Sequence, residues 1–173
     1  MYIRFKRIKK DSGNIYEYAY LVGSVWRKRK KQAKQLHSKF LGRSYEFEKI
    51  LLDEFNLKKI ETDAKQALKE LIGFQLIIRG FVRKENIFMK EGVVVNLDRG
   101  FVHYNENEAV VKLENKGLCS YSLEELFKFE KIESVYEGKL FIKALKECGI
   151  KLSGDELYYL VEKMNRDRFE NGN

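Results

Sequence analysis

Proline is absent from the 173-residue chain, and cysteine occurs only at Cys119 and Cys148. These two cysteines lie 29 positions apart with no second pair of metal-ligand residues near them. This spacing indicates neither a zinc site nor a disulfide framework. Two reduced thiols, no metal and no cofactor are therefore predicted.

Long apolar runs are also missing. The stretch Gly73–Ile78 is far shorter than the roughly 20 residues that cross a bilayer, and the N-terminal residues MYIRFKRIKK lack the apolar segment of a signal peptide. A soluble, cytoplasmic protein with no membrane partner is predicted. The length fits one domain, or a small domain with a helical partner, but not two full-sized enzymatic domains.

Acidic residues are scarce in the first quarter of the chain. Residues 1–43 contain thirteen Lys or Arg and only two acids, Asp11 and Glu17, which is a net charge of +11, whereas the remaining residues carry a net −3. A charge distributed for solubility would not be concentrated in this way. Phosphate-binding surfaces need Lys and Arg side chains gathered in one place, so the segment predicts a nucleic-acid partner.

Strand formers and turn residues alternate within the same basic segment. Tyr2–Lys10 and Ile15–Trp26 flank the turn residues Asp11–Asn14, and a basic turn at Arg27–Lys31 leads into Gln32–Leu41. Two successive hairpins of this kind predict a three-stranded antiparallel sheet over residues 1–44.

The pairing register of the first hairpin depends on the length of its loop. A four-residue loop places Lys10 opposite Ile15. In that register Phe5 faces Tyr20 on an aromatic face, whereas Arg4 and Lys6 lie on the reverse face.

From Tyr45 onward the residue pattern changes to that of helices with a few short strands. Three strands are predicted between residues 86 and 114. The predicted helices are Tyr45–Phe55, Thr62–Arg79, Ser122–Phe129, Gly138–Cys148 and Gly154–Arg166. The last two should form a helical hairpin.

The predicted fold class is therefore α+β. It consists of an N-terminal three-stranded antiparallel sheet, a helical region with a second small antiparallel sheet, and a C-terminal helical hairpin. Residues 1–44 form the predicted nucleic-acid-binding domain. Residues 45–173 form a predicted scaffold or oligomerisation region. Its net negative charge is expected to repel nucleic acid, and a homodimer could form through it.

The N-terminal layout resembles a known family. A first strand, a Tyr-rich second strand and a third strand ending in Phe40-Leu41-Gly42-Arg43 resemble the N-terminal region of DDE-class insertion-sequence transposases, over residues 1–45 only. In that family the region contributes to DNA binding. The resemblance implies phosphate contacts for Arg4, Lys6, Arg27, Lys28, Arg29, Lys30 and Lys34. Lys31 and Arg43 complete the predicted nucleic-acid-binding set.

A catalytic domain of that family is not expected in this chain. Asp98 ends an apolar run, as a metal-binding carboxylate would, but two-metal chemistry needs at least three converging acids. The later acids Glu106, Glu108 and Glu114 lie on a predicted turn and a short strand, so a plain turn is predicted at Asp98-Arg99-Gly100.

The sequence favours a non-enzymatic DNA-binding protein, with duplex DNA preferred to RNA and a nucleoid-associated location consistent with it. Three alternatives stay open: a structured-RNA-binding protein, a nuclease or transposase-derived enzyme, and a protein-interaction module with an acidic partner.

The concentration of positive charge generates the first prediction. Affinity for duplex DNA should fall about tenfold or more between low and physiological salt, because each phosphate contact releases counterions. Replacing Arg27, Arg29 and Lys30 together by Gln should flatten the slope of log affinity against log salt in a mobility-shift titration. An unchanged slope in this triple variant would place the binding surface elsewhere.

Overall fold

The structure is a computed structural model that describes residues 1–50 and 63–170, without the side chains of His37 and residues 167–170. The strands are β1 Tyr2–Lys9, β2 Ile15–Arg27, β3 Gln32–Glu46, β4 Val82–Lys84, β5 Ile87–Lys90, β6 Val93–Asn96, β7 Phe101–Tyr104, β8 Asn107–Leu113 and β9 Lys116–Leu118. The helices are α1 Ala64–Ile77, α2 Ser120–Phe127, α3 Val135–Glu147 and α4 Gly154–Glu170. The α+β class is confirmed.

The two N-terminal hairpins form as predicted. β1 pairs antiparallel with β2, and β2 pairs antiparallel with β3. The basic turn between β2 and β3 is a short 3-10 helix over Lys28–Lys30, and Lys31 closes it in the left-handed region with φ 47°.

The predicted register of the first hairpin is wrong by one residue. Lys9, rather than Lys10, lies opposite Ile15, because the loop has five residues and Gly13 takes a positive φ of 84° to close it. A slip of one residue exchanges the faces of a strand. Arg4 therefore lies opposite Tyr20 and shares its face.

The reverse face of the first hairpin is the buried one. Ala19, Leu21 and Leu41 pack with Val110 of β8 and Cys119 in a small core. This burial selects the observed register, because the alternative would expose these apolar side chains and bury the tyrosines with their hydroxyls.

The three N-terminal strands do not form a separate sheet, which corrects the predicted architecture. β3 continues beyond its hairpin and pairs in parallel with β8 from Arg43 opposite Ala109 to Glu46 opposite Lys112. The described strands form one nine-stranded sheet in the order β1-β2-β3-β8-β7-β6-β5-β4, with β9 paired to β8. The predicted second antiparallel sheet is present as β4–β8 within it.

Gly42 makes the junction between β3 and β8 possible. It has a φ of 120°, and a Cβ at this position would lie 2.1 Å from the carbonyl oxygen of Glu108. Only a residue without a side chain permits this approach of the two backbones. The predicted helix Tyr45–Phe55 is wrong at its start, because Tyr45 and Glu46 belong to β3; residues 51–62 lie outside the described part.

The main core lies between the sheet and the helices. One cluster of buried side chains joins Val95 of β6 and Val111 of β8 to the helices, through Ile72 of α1, Leu123 of α2 and Phe141 of α3. α3 lies against α2 and β9, whereas α4 lies against α1. The predicted C-terminal hairpin is therefore wrong: its two helices pack mainly on other elements.

Local signals account for several helix ends. Asp63 caps α1 by accepting a hydrogen bond from the Gln66 backbone N–H at 2.8 Å. Ser153 and Glu156 form the predicted capping box at the start of α4. None of the described helices is both long and apolar enough to cross a membrane.

The β3–β8 junction generates the second prediction. Gly42→Ala should lower the free energy of unfolding by about 3 kcal/mol or more, because the new methyl group meets the Glu108 backbone. Gly13→Ala is the matched control: its φ is also positive, but nothing lies within 4 Å of the new Cβ, so the cost should be about 1 kcal/mol. Equal losses in urea denaturation would contradict the importance of this contact.

Candidate nucleic-acid interface

The hairpin of β2 and β3 extends beyond the rest of the sheet. The last pair between β1 and β2 is Tyr2 opposite Val22. From there to the turn, β2 and β3 pair only with each other, as a two-stranded ribbon of residues 23–37 that we call the β-arm. All residues from Ser24 to Leu36 are exposed. The β-arm thus projects from the protein body.

Positive charge dominates the β-arm. Its cations are Arg27, Lys28, Arg29, Lys30, Lys31 and Lys34. No acid occurs in the chain between Glu17 and Glu46. Within the described part of the protein, none of these six side chains makes an ion pair. No ion pair within the described residues therefore relieves their mutual repulsion.

Three large apolar side chains are exposed on the same β-arm. Trp26 is 60% exposed, Leu36 58% and Val25 49%. Single exposed apolar residues are ordinary, but three on one projecting ribbon mark a contact surface. The sequence pointed to Trp26 only weakly, and it gave no signal for Leu36, which lies at a register shift between β2 and β3 opposite Gly23 and Ser24.

A second group of predicted cations lies on the outward side of β1–β3. Arg4 is opposite Tyr20 and Lys6 is opposite Tyr18. Phe40 packs beside both tyrosines, with ring centroids 5.6 Å from Tyr20 and 6.0 Å from Tyr18, and is 54% exposed. We call these five residues the tyrosine face. A shallow cavity of about 250 Å³ lies between Arg4 and Lys6 on β1 and Gln35 and Ser38 on β3.

Arg43 differs from the other predicted cations. Its guanidinium carbon lies 4.1 Å from the ring centroid of Tyr16 and 5.0 Å from that of Tyr45. This side chain is half-buried between two rings, where cation–π attraction holds it. Arg43 therefore packs on the sheet surface, and it is less exposed than the cations of the β-arm.

Eight of the nine predicted cations thus fall into two groups, and Arg43 belongs to neither. The six β-arm cations form one group, and Arg4 and Lys6 form the other. The tyrosine face ends near Val22, where the β-arm begins. A polyanion that follows this surface contacts both groups without meeting an acidic side chain of β1–β3 on that side, because Glu17 points to the reverse face and pairs with Arg7 and Lys112.

Asp98 lies in the predicted turn after β6. Its carboxylate accepts hydrogen bonds from Lys69 Nζ at 2.5 Å and from Asn86 Nδ2 at 2.9 Å. Lys69, with a smaller contribution from Asn86, holds the pKa of Asp98 below its ordinary value. Across residues 1–50 and 63–170, no group of three or more His, Cys, Asp or Glu is arranged to hold a metal ion.

The two cysteines are buried and unpaired. Cys119 belongs to the small core, and the Cys148 thiol donates to the Ser122 carbonyl oxygen at 3.3 Å. Burial raises the pKa of Cys148 to about 12, which keeps it in the unreactive thiol form.

The environment of Asp98 generates the third prediction. Lys69→Met should raise the pKa of Asp98 towards its ordinary value of 3.8 in an NMR titration of the carboxyl carbon, because the main cation partner is lost. In the native protein this ion pair stabilises the fold at pH values above the pKa that Asp98 has in the unfolded chain. The stabilisation is lost as the pH falls through the lower pKa that Asp98 has in the folded protein. Lys65→Met, on the same helix, should leave the Asp98 titration unchanged; equal shifts in both variants would contradict the pairing.

Comparison of the chain with protein-family models, with curated proteins and with solved structures finds no match. The resemblance of residues 1–45 to transposase N-terminal regions stays a prediction.

Proposed function

We propose that this protein binds duplex DNA through the β-arm and the tyrosine face, without catalysing a reaction on it. The observation that carries this proposal is the projecting two-stranded ribbon, which has no acid of its own and whose six cations have no ion-pair partner among the described residues. Such a ribbon costs electrostatic energy in the free protein, and a phosphate backbone relieves it.

The dimensions of the β-arm suit a groove of duplex DNA. From Gly23 to Arg27 the ribbon is about 17 Å long at 3.3 Å per residue. The major groove is about 12 Å wide and 8.5 Å deep and admits a two-stranded ribbon. With the ribbon in the groove, Arg27–Lys31 at the tip and Lys34 on its side reach the phosphates at the groove edges.

The exposed apolar residues of the β-arm have a role in the same complex. Trp26, Val25 and Leu36 are placed to contact thymine methyl groups or to wedge between base pairs. Either contact removes apolar surface from water only when DNA is bound, which accounts for exposed large side chains on a ribbon with no protein partner in the described structure.

Single-stranded nucleic acid is a second candidate ligand, favoured by the tyrosine face. Phe40 exposes its ring beside Tyr18 and Tyr20 and next to the cations Arg4 and Lys6. Exposed rings flanked by cations provide a stacking platform for unpaired bases in DNA or RNA. Duplex DNA does not present free base faces, so a substitution of Phe40 should affect the binding of single strands and not that of duplex DNA.

Three separate predictions accompany this proposal: a relation to transposases, a nucleoid-associated location, and a homodimer through residues 45–173. Tyr158 of α4, whose side chain is 70% exposed, is available for contacts in such a dimer.

The only tryptophan of the chain generates the fourth prediction. Titration with duplex DNA should change the emission of Trp26 in parallel with the mobility shift, since the β-arm enters the groove. Trp26→Ala should weaken duplex binding by about tenfold, or roughly 1.4 kcal/mol, whereas Trp26→Phe should retain most of the affinity. Binding by mobility shift with an unchanged Trp26 spectrum would remove the β-arm from the interface.

Phe40→Ala distinguishes the two ligands. For single-stranded DNA or hairpin RNA it should lower affinity by about 1–3 kcal/mol if bases stack on the tyrosine face. For duplex DNA it should have little effect. A native protein that binds unpaired strands more tightly than duplex, with a loss confined to Phe40→Ala, would replace duplex DNA by single strands as the ligand.

A further inference from the structure

Three lysines form a row on the exposed side of α3. Lys139, Lys143 and Lys146 follow the i, i+4, i+7 spacing that places side chains on one face of a helix, and all three are exposed. We call them the α3 lysine face. With Lys116 and Lys151 they surround a groove of about 630 Å³ between α3 and the turn from β8 to β9.

The charge of this groove is mostly uncompensated. Its five lysines face two carboxylates, Glu114 and Glu147. Lys116 pairs with Glu147 at 3.5 Å, and Lys151 pairs with Glu114, which also binds Lys49 at 2.7 Å. Both acids are thus occupied by cations outside α3. Among the ion pairs of the described residues, none includes a member of the α3 lysine face.

The α3 lysine face adjoins the root of the β-arm. Lys143 and Glu147 also line a neighbouring cavity of about 280 Å³, whose opposite wall includes Tyr2 and Leu21. Tyr2 forms the last β1–β2 pair before the β-arm begins. Lys143 of the α3 lysine face therefore lies near the point from which the basic β-arm projects, across a cavity that Glu125 and Glu147 also line.

We propose that the α3 lysine face is a second DNA-contacting surface, on the opposite side of the β1–β2 hairpin from the tyrosine face, so that one duplex is held by the β-arm and by α3 together. This inference rests on the proposed function. It also changes how the net −3 of the C-terminal region is interpreted. The two acids that line the groove pair with Lys116, Lys151 and Lys49, which leaves the α3 lysine face uncompensated.

Phosphate is the chemistry that fits this surface. Lysine ammonium groups contact phosphates as point charges without a fixed geometry, and three of them spaced along one helix follow a polyanion rather than one small anion. An acidic protein segment is the other occupant that the charge permits, and the experiment below separates the two.

The test compares two variants of the full chain that lose the same charge. The first replaces Lys139, Lys143 and Lys146 by Gln. The control replaces Lys65 of α1, Lys84 of β4 and Arg99 of the β6–β7 turn by Gln, all exposed and away from the β1 edge of the sheet.

If α3 contacts the duplex bound by the β-arm, the α3 variant should lower the slope of log affinity against log salt by about 2 to 3, because up to three phosphate contacts are lost. Its affinity for a duplex of about 20 base pairs should fall at least tenfold at physiological salt. The control should change the slope by less than about 1. Unchanged thermal unfolding of both variants verifies that they are folded.

The outcomes are distinguishable. If the native protein fails to bind duplex DNA, the proposed function fails. If it binds, and Trp26 emission responds, but the α3 variant behaves like the control, this inference alone is wrong. It is also wrong if polyglutamate binds the native protein and loses affinity in the α3 variant while duplex affinity does not change, because the face would then take an acidic polypeptide.

Discussion

Gly42 lets two backbones approach more closely than any side chain would permit, and the position of β1–β3 depends on this contact. β3 leaves its hairpin there and pairs in parallel with β8, which anchors it to the centre of the sheet. A three-stranded sheet by itself is marginally stable in water. Here β1–β3 share a core with Val110 of β8, so one edge is free to carry charge.

The anchored end of the hairpin explains how its other end can remain without partners. β3 is fifteen residues long, and only its last four residues, from Arg43 to Glu46, pair with β8. The packing of Ala19 and Leu21 in the small core holds the base of the hairpin. The β-arm therefore needs no packing of its own, and its sequence is free for cations and exposed apolar side chains, which a self-contained domain would avoid.

Charge compensation follows the same division of the molecule. In the C-terminal part, several acids are engaged by nearby cations: Asp98 by Lys69, and Glu114 by Lys49 and Lys151. Among the described residues, no acid forms an ion pair with a cation of the β-arm. Net charge over a long segment therefore describes binding surfaces poorly, since pairing decides which charges are left free.

The sequence alone determined the local elements of the protein. Strand formers separated by Asp11–Asn14 and Arg27–Lys31 were enough to predict both hairpins, since turn residues and strand propensity act over a few neighbours. The capping box at Ser153 and the turn at Asp98 are equally local. The concentration of cations in residues 1–43 is a property of composition and needed no structure.

Tertiary structure decided which faces and partners those elements have. One extra loop residue, closed by Gly13, moved Arg4 and Lys6 onto the side of the tyrosines, and burial against Val110 selected that register. The parallel pairing of β3 with β8 joins residues more than sixty positions apart, a contact for which short-range patterns carry no signal. The position of Lys143 across a cavity from Tyr2 and Leu21 has the same origin, because the packing of α3 against α2 and β9 brings it near β1.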